Sequence, residues 1–261
     1  VLEHPEEYDF SIDTIGDASI RSPLERQYFV EHDERVSFAT SVKHLEKLFK
    51  SGKTVPSFEK AGARAKIFHN PKWSKAAIVT CGGLCPGIND VIKGIVQVLY
   101  FDYGVQNIIG IPYGFQGLIP QYGHTPIDLS PEKVDTIHDE GGTILGSSRG
   151  GQSPEQMVDT LQRMNINMLF CVGGDGTLRG AEAISHEIKR RSLSIGVIGI
   201  PKTIDNDLSF IDRSFGFETA VYTTSDIITS AHMEARGAFN GIGLVKLMGR
   251  DSGFIAAYSS L

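Results

Sequence analysis

Ile195-Gly196-Val197-Ile198-Gly199-Ile200-Pro201-Lys202-Thr203-Ile204-Asp205-Asn206-Asp207 passes in one step from an apolar run to a cation, a hydroxyl, an amide and two carboxylates. An apolar run of that length reads as a strand buried on both faces, the kind found in parallel sheets. A plain turn needs only Gly, Pro, Asn or Asp, so Lys202 and Thr203 exceed what a connection requires. They mark a loop that a rigid scaffold presents for chemistry.

Working outward, similar runs recur at Ala76 to Thr80, Ile108 to Ile111, Met168 to Val172 and Ile242 to Met248, and each is expected to be a strand. Helical signals lie between them. Ser153-Pro154-Glu155-Gln156 supplies an N-cap, a first-turn proline and a capping Gln for a helix running through Met157, Leu161 and Met164. Ile88, Val91, Ile92, Ile95, Val96 and Leu99 share one helical face, and Thr177 to Arg191 and Thr219 to Glu234 are two further helices. Strand and helix in alternation predict an α/β fold: a parallel sheet in Rossmann-like layers, helices on both faces, and strand-to-helix loops gathered along one edge. Residues 1 to about 70 lack such a period, carry scattered charges such as Glu6, Glu7 and Asp33, and read as an irregular arm with one helix from Ser41 to Phe49.

The chain has 261 residues, 41% hydrophobic and 21% charged, which is enough for a substantial core. With 25 Lys and Arg against 31 Asp and Glu the net charge is -6, so no global basic field recruits nucleic acid or an anionic membrane. An anionic ligand needs locally placed cations. Cys81, Cys85 and Cys171 make no even disulfide framework and no second pair completes a zinc site, which fits a reducing, cytoplasmic setting. No apolar stretch is long enough to span a bilayer, and the first residues do not read as a signal peptide.

The other polar motifs follow the other strands. Cys81-Gly82-Gly83-Leu84-Cys85-Pro86-Gly87-Ile88-Asn89 leads into a helix, where glycines let backbone N–H groups approach an anion. By itself it is equally a tight turn. Gly173-Gly174-Asp175-Gly176-Thr177 leaves one carboxylate on a loop without neighbouring bulk, which suits a hard cation beside phosphate oxygens; the plain alternative is a helix cap. In the opening loop, one of Asp205 and Asp207 can accept a proton while the other helps hold a metal or its water shell, with Lys202 and Thr203 stabilising a transferring phosphoryl group. The alternative there is an Asx-turn network with a solvated lysine. Arg149 stands among Gly146, Ser147, Ser148, Gly150 and Gly151 and is a phosphate clamp or a solvated arginine on a flexible loop, while Arg250, after Met248-Gly249, is an anion clamp or a weak surface pair with Asp251. The histidines form no metal-spaced pair, Gly-x-Ser-x-Gly and the Walker sequence are absent, and Trp73 and Tyr113 read as packing aromatics.

In order and spacing, Gly82-Gly83 with Pro86-Gly87-Ile88-Asn89, then Gly174-Asp175-Gly176-Thr177, Pro201 to Asp207 and Met248-Gly249-Arg250 resemble the 6-phosphofructokinase family from Lys75 onward. The arm and the Ile-Leu-Gly-Ser-Ser-Arg-Gly stretch are similar to the ATP-dependent enzymes of kinetoplastids and plants. The resemblance implies Asp205 as general base toward the sugar 1-hydroxyl, with Arg149, Lys202 and Thr203 also in the catalytic set. It implies Mg²⁺ at Asp175 with Asp207 near it, and nucleotide phosphates at Gly83, Arg149, Gly150, Gly174, Asp175, Gly176 and Thr177. The sugar phosphate falls to Thr203, Ile204, Asp205, Met248, Gly249 and Arg250.

Fructose 6-phosphate is the implied acceptor, in a glycolytic, cytoplasmic or glycosomal homotetramer with no nucleic-acid or membrane partner. Gly176 resembles ATP users and Lys202 resembles pyrophosphate users. Kinetoplastid-type enzymes combine both, so ATP is the expected donor and pyrophosphate the alternative. Family members continue well beyond Leu261, so the implied division is residues 1–72 as the arm, 73–206 as the nucleotide domain and 207–261 as the start of the substrate domain. A non-catalytic nucleotide-binding subunit is the remaining alternative. NAD and lipid kinases share Gly-Gly-Asp-Gly-Thr but lack the 203–207 and Met-Gly-Arg loops.

Overall fold

The computed structural model describes residues 10–11, 13–25, 28–38, 41–52 and 55–261, and it separates into two compact units, Val1–Asn70 and Pro71–Leu261. The charges at Glu6 and Glu7 lie outside the described residues. Within the first unit, β1 (Ile20–Arg21) pairs antiparallel with β4 (Lys66–Ile67), and β2 (Arg35–Ser37) with β3 (Ser57–Glu59). Helix α1 (Val42–Lys50) stands between β2 and β3 in the chain, close to the expected helix, and has no buried residue. Lys60 Nζ bonds Glu34 at 2.5 Å and Tyr28 at 3.3 Å, and the Phe10, Phe38 and Phe58 rings meet edge to face.

The second unit is built on a sheet of five strands in the order β7 (Ile127–Asp128), β6 (Asn107–Ile111), β5 (Lys75–Thr80), β8 (Met168–Gly173), β9 (Gly196–Pro201). Four of them run parallel, and β7 closes one edge antiparallel to β6. Alternation along the strands sends side chains to two separate cores. Ala77, Val79, Leu169 and Cys171 pack with Met157, Val158 and Leu161 of α3 (Pro154–Arg163) and with Ala181, Ile184 and Ile188 of α4 (Asp175–Arg190). Ala76, Ile78, Ile108 and Val172 face the other way, onto Ile88, Ile92 and Val96 of α2 (Ile88–Gln97). Helices therefore cover both faces, and β5, β6 and β8 bury both their sides as near-continuous apolar runs should, whereas β9, at the sheet edge, is not buried on both faces as expected and leaves Ile198 39% exposed.

Three expectations change. The stretch before residue 71 is not an irregular arm with one helix: it forms a compact unit with four short strands beside α1. Trp73 is 81% exposed rather than packed. Ile242 to Met248 is not a strand: it runs without a ladder, with Ile242 and Leu244 more than nine-tenths exposed, after α5 (Phe217–Gly237) and before α6 (Phe254–Ser259). Apolar content favours a strand only where a neighbour takes its N–H and C=O groups, and no described strand lies beside this run.

Candidate active site

The carboxyl ends of β5, β8 and β9 deliver three loops to one edge of the sheet. The chain turns from β5 toward β6 on one side, while β8 lies on the other, and a crevice opens at such a switch in strand order. Gly82 and Gly83 stand on one lip, and Gly173 and Gly174 on the other.

Gly82 (φ 83°) and Gly87 (φ 93°) adopt the left-handed backbone that glycine tolerates, which bends the chain off β5 and starts α2 at Gly87. Gly82 N–H donates to Ser148 C=O at 3.0 Å, and Ser147 Oγ returns a bond to Gly82 C=O at 2.6 Å. Arg149 lies over Gly83, since a Cβ there would stand 3.5 Å from its guanidinium. Together Gly82, Gly83, Leu84, Gly141, Gly142, Thr143 and Gly146 to Arg149 line a cavity of about 610 Å³. Polar groups converging on a concavity of that size suit a small anionic ligand.

Across the crevice, Gly174 caps α4 and Asp175 opens its first turn, half exposed and 3.3 Å from Arg179. A Cβ on Gly176 would meet nothing within 4 Å, so the space above this turn is open. Thr177 is turned inward: it is buried, packs beneath Gly173, places its hydroxyl against the Cys81 thiol, and donates its N–H to Gly174 C=O. Its hydroxyl thus faces inward, away from the open side of the turn on which a phosphate contact is expected. Gly174, Asp175 and Gly176 remain on the outer side.

In the loop after β9 nearly every polar side chain is used internally. Lys202 is only 5% exposed; its N–H donates to Gly173 C=O and its ammonium to Gly83 C=O at 2.6 Å. Lys202 thus ties both glycine lips together, one through its backbone and the other through its side chain, and neither the solvated lysine nor a freely extended clamp describes it. Burial lowers the Lys202 pKa, with Arg149 adding to the fall and the Cys85 and Cys81 thiols and Asp205 opposing it. Thr203 donates its hydroxyl to Asp207 Oδ1 at 2.6 Å and accepts the Asp205 N–H at 3.1 Å. Asn206, left-handed at φ 54°, accepts from Ser214 N–H and donates to Asp212 C=O. Ser214 Oγ donates to Thr203 C=O, and Ile204 packs partly buried against the α2 core.

Asp205 is the exception. Its Oδ1 is buried without a hydrogen-bond partner. Burial first, and then the charge of Asp207, push its pKa above the ordinary carboxylate value, while Arg250 and Lys202 pull it back. Burial also pushes Asp207 upward, but the Thr203 hydroxyl and the Arg250 guanidinium outweigh it and hold Asp207 below the ordinary value. Two carboxylates in one loop are thereby driven apart, which is how acid and base roles become distinguishable.

The 248–252 segment joins the same place. Arg250 pairs with Asp207 at 3.1 Å and more loosely with Asp251 at 3.8 Å, and Ser252 Oγ donates to Asp205 C=O at 3.1 Å. Asp175 lies near enough for its charge to help raise the Arg250 pKa. Gly249 takes a φ of 139°, and Met248 is exposed. Arg149, Lys202, Asp205, Asp207 and Arg250 are thus brought into charge contact, whereas Gly150 stands at the exposed rim with nothing within 4 Å of a Cβ.

Among the described residues no group of three His, Cys, Asp or Glu side chains could hold a metal ion. A magnesium ion takes one or two carboxylates and completes its shell with water and substrate phosphates. Asp175 offers an exposed carboxylate and Asp205 an unpartnered oxygen. Asp207 already accepts on both oxygens. Sequence reading missed Thr80, Asn89, Thr143, Ser147, Ser214 and Ser252, because small hydroxyls and amides acquire meaning only when the backbone they serve is known.

A model of the Phosphofructokinase family matches residues 75–261. The ATP-dependent 6-phosphofructokinase of Borreliella burgdorferi is 52% identical over 98% of this chain and 58% of its own length. That of Trypanosoma brucei brucei is 54% identical over 78% of this chain and 42% of its own. The chain thus spans about half the length of the curated relatives it matches. In fold it is similar to the crystal structure of a pyrophosphate-dependent phosphofructokinase from Marinobacter aquaeolei, with TM-score 0.60 at 24% identity over 71% of this chain and 48% of that one.

Proposed function

The chain belongs to the phosphofructokinase family, and from that premise we propose that the protein transfers the terminal phosphoryl group of ATP to the 1-hydroxyl of fructose 6-phosphate, giving fructose 1,6-bisphosphate and ADP. One observation carries the reading to the atoms: in a loop where nearly every other polar side chain has an internal partner, Asp205 keeps a buried carboxylate oxygen without one. Its raised pKa makes it a stronger base than an ordinary aspartate, and it takes the proton from the attacking hydroxyl. Thr203 and Arg250 orient the two aspartates, and Arg250, reaching from its exposed stem, clamps the sugar phosphate beside Met248 and Gly249. Ile204 and Thr203 shape the floor under the sugar.

On the donor side Arg149, Gly83 and Gly150 hold the nucleotide phosphates with Gly174 and Gly176, and the Thr177 contribution is to support the turn from within. Lys202 positions both lips through Gly83 and Gly173 and places a cation beneath them. Asp175, with Asp207 adjacent, would hold Mg²⁺, which would neutralise phosphate charge; positioning and charge stabilisation are most of what phosphoryl transfer asks of a protein. The names of the relatives and the open space above Gly176 both favour ATP over pyrophosphate. We assign 73–206 to the nucleotide domain and 207–261 to the start of the substrate domain, and read the protein as a cytoplasmic homotetramer, which sedimentation and fractionation check. No described helix is long and apolar enough to cross a membrane.

A coupled assay of the whole protein with fructose 6-phosphate tests this, using ATP or pyrophosphate as donor and Asp205→Ala beside the wild type. Turnover with ATP that collapses in the variant is the expected result. Undiminished turnover in Asp205→Ala sinks the base, turnover with pyrophosphate alone reverses the donor, and ATP binding without turnover in the wild type favours the non-catalytic alternative.

A further inference from the structure

Residues 140–149 carry Arg149 and most of the cavity wall, yet they contain no strand or helix of their own. Backbone groups in such a segment must find partners elsewhere. They find two buried side chains from the sheet and the helix beneath. Asn89, 2% exposed on α2, donates its amide N–H to Glu140 C=O and accepts Ile144 N–H, both at 3.0 Å. Since Ile144 N–H only donates and the Glu140 carbonyl only accepts, the amide orientation is fixed.

Thr80, 1% exposed at the end of β5, donates its hydroxyl to Gly146 C=O at 2.8 Å and lies 3.0 Å from the Thr143 hydroxyl. A hydroxyl carries one proton, and that of Thr80 is committed to Gly146. Thr143 must therefore donate to Thr80, which leaves its lone pair to accept Leu145 N–H at 3.2 Å. The result is a directed chain from Thr143 through Thr80 to the Gly146 carbonyl, each bond polarising the next. Three residues further on, the same segment sets Arg149 over Gly83.

We propose that Thr80 and Asn89 are positioning residues that fix the 140–149 segment and thereby set where the Arg149 guanidinium meets the donor phosphates. The proposal rests on the phosphoryl-transfer reading of the cavity, but neither side chain lines that cavity, so both act through the segment.

The test uses the whole protein with Thr80→Val, which keeps the shape and deletes both hydroxyl bonds, and Thr80→Ser, which keeps the hydroxyl. Initial rates are measured with ATP and fructose 6-phosphate varied separately, and hydrogen exchange of residues 143–146 is followed without ligand. Thr80→Val is expected to raise KM for ATP about tenfold, leave KM for fructose 6-phosphate within about twofold, and speed exchange, with Thr80→Ser restoring both. Faster exchange with an unchanged KM for ATP overturns the proposal, as does a rise of both KM values in step with lost Tm. Should Thr80→Val not fold, Asn89→Ala tests the second anchor with the same readouts. A wild-type protein that turns over no ATP removes the reading of the cavity, whereas unaltered exchange in Thr80→Val overturns the positioning role whatever the reaction.

Discussion

Two apolar runs of this chain, Ile195 to Ile200 and Ile242 to Met248, read alike in sequence and end differently. The first enters the sheet beside β8, with Val197 paired to Leu169 and Ile200 to Val172, and Ile195 is 7% exposed in the core. The second has no described strand beside it, and Leu244 is 94% exposed. Each nonetheless leads into an arm of the candidate site: the first into Lys202 to Asp207, the second into Met248 to Ser252. The first arm is fixed by the sheet and by its own side chains; the second is fixed to the first by the Arg250–Asp207 pair and the Ser252 bond. A rigid arm suits the group that must meet a reacting proton, and a tethered arm suits one that gathers a substrate.

The contrast breaks most sharply on one carboxylate from each arm. Asp205 on the rigid arm is partly buried with its Oδ1 wholly covered, while Asp251 is 94% exposed on the tethered one. Asp205→Asn is expected to cut kcat by roughly 10²- to 10⁴-fold, the usual contribution of a positioned base, with Tm unchanged or raised because an unpartnered buried charge is removed. Asp251→Asn should keep kcat within about threefold, since exposed pairs contribute little. The reverse pattern would move the base to the tethered arm.

Stability comes next in size. Ile195→Ala should cost about 2–4 kcal/mol by denaturant unfolding, as buried Ile truncations do. Ile242→Ala should stay within about 0.5 kcal/mol, because the side chain is already in water. A cost above about 1 kcal/mol for Ile242→Ala would mean that the second run is covered in solution, and the two runs would then be alike after all.

These differences mark what the sequence made legible. The four parallel strands, the helices between them and the edge where the loops gather all follow from period and order, because each run carries its own burial requirement. The pairing of a run with a neighbour does not, which is why Ile242 to Met248 misleads. In the site, Asp205, Arg149 and Arg250 stand out as charged groups among small residues. The inward turn of Thr177 and the Lys202 bond across to Gly83 span residues far apart in the chain, and no local pattern encodes them. Asn206 and Ser214 are likewise ordinary loop residues until the turn between them closes.

The tether itself is the next lever. Arg250→Ala removes both the Asp207 pair and the proposed sugar-phosphate clamp, so KM for fructose 6-phosphate should rise roughly tenfold to a hundredfold, with KM for ATP little changed. The guanidinium is 64% exposed, so added salt should narrow the gap between variant and wild type. Equal effects on both substrates would assign Arg250 to the fold of the arm instead of to the sugar.

The smallest effect discriminates most finely, because its sign differs for the two partners of the tether. Asp205 acts as a base only when ionised, and its pKa is raised, so kcat is lost as pH falls through a value above the ordinary aspartate range. Asp207 is one cause of that rise, and Asp207→Asn should therefore move the acid limb to lower pH. Arg250 opposes the rise, so Arg250→Ala should move the limb to higher pH, both directly and by leaving the Asp207 charge less neutralised. Solvent and salt at this partly open site should keep each displacement small. Rates at saturating substrate, followed downward from neutral pH until activity is lost, give the acid limb of each variant. Opposite displacements would establish that the tethered arm tunes the base on the rigid one; displacements of the same sign, or none, would leave the arms joined mechanically but not electrostatically.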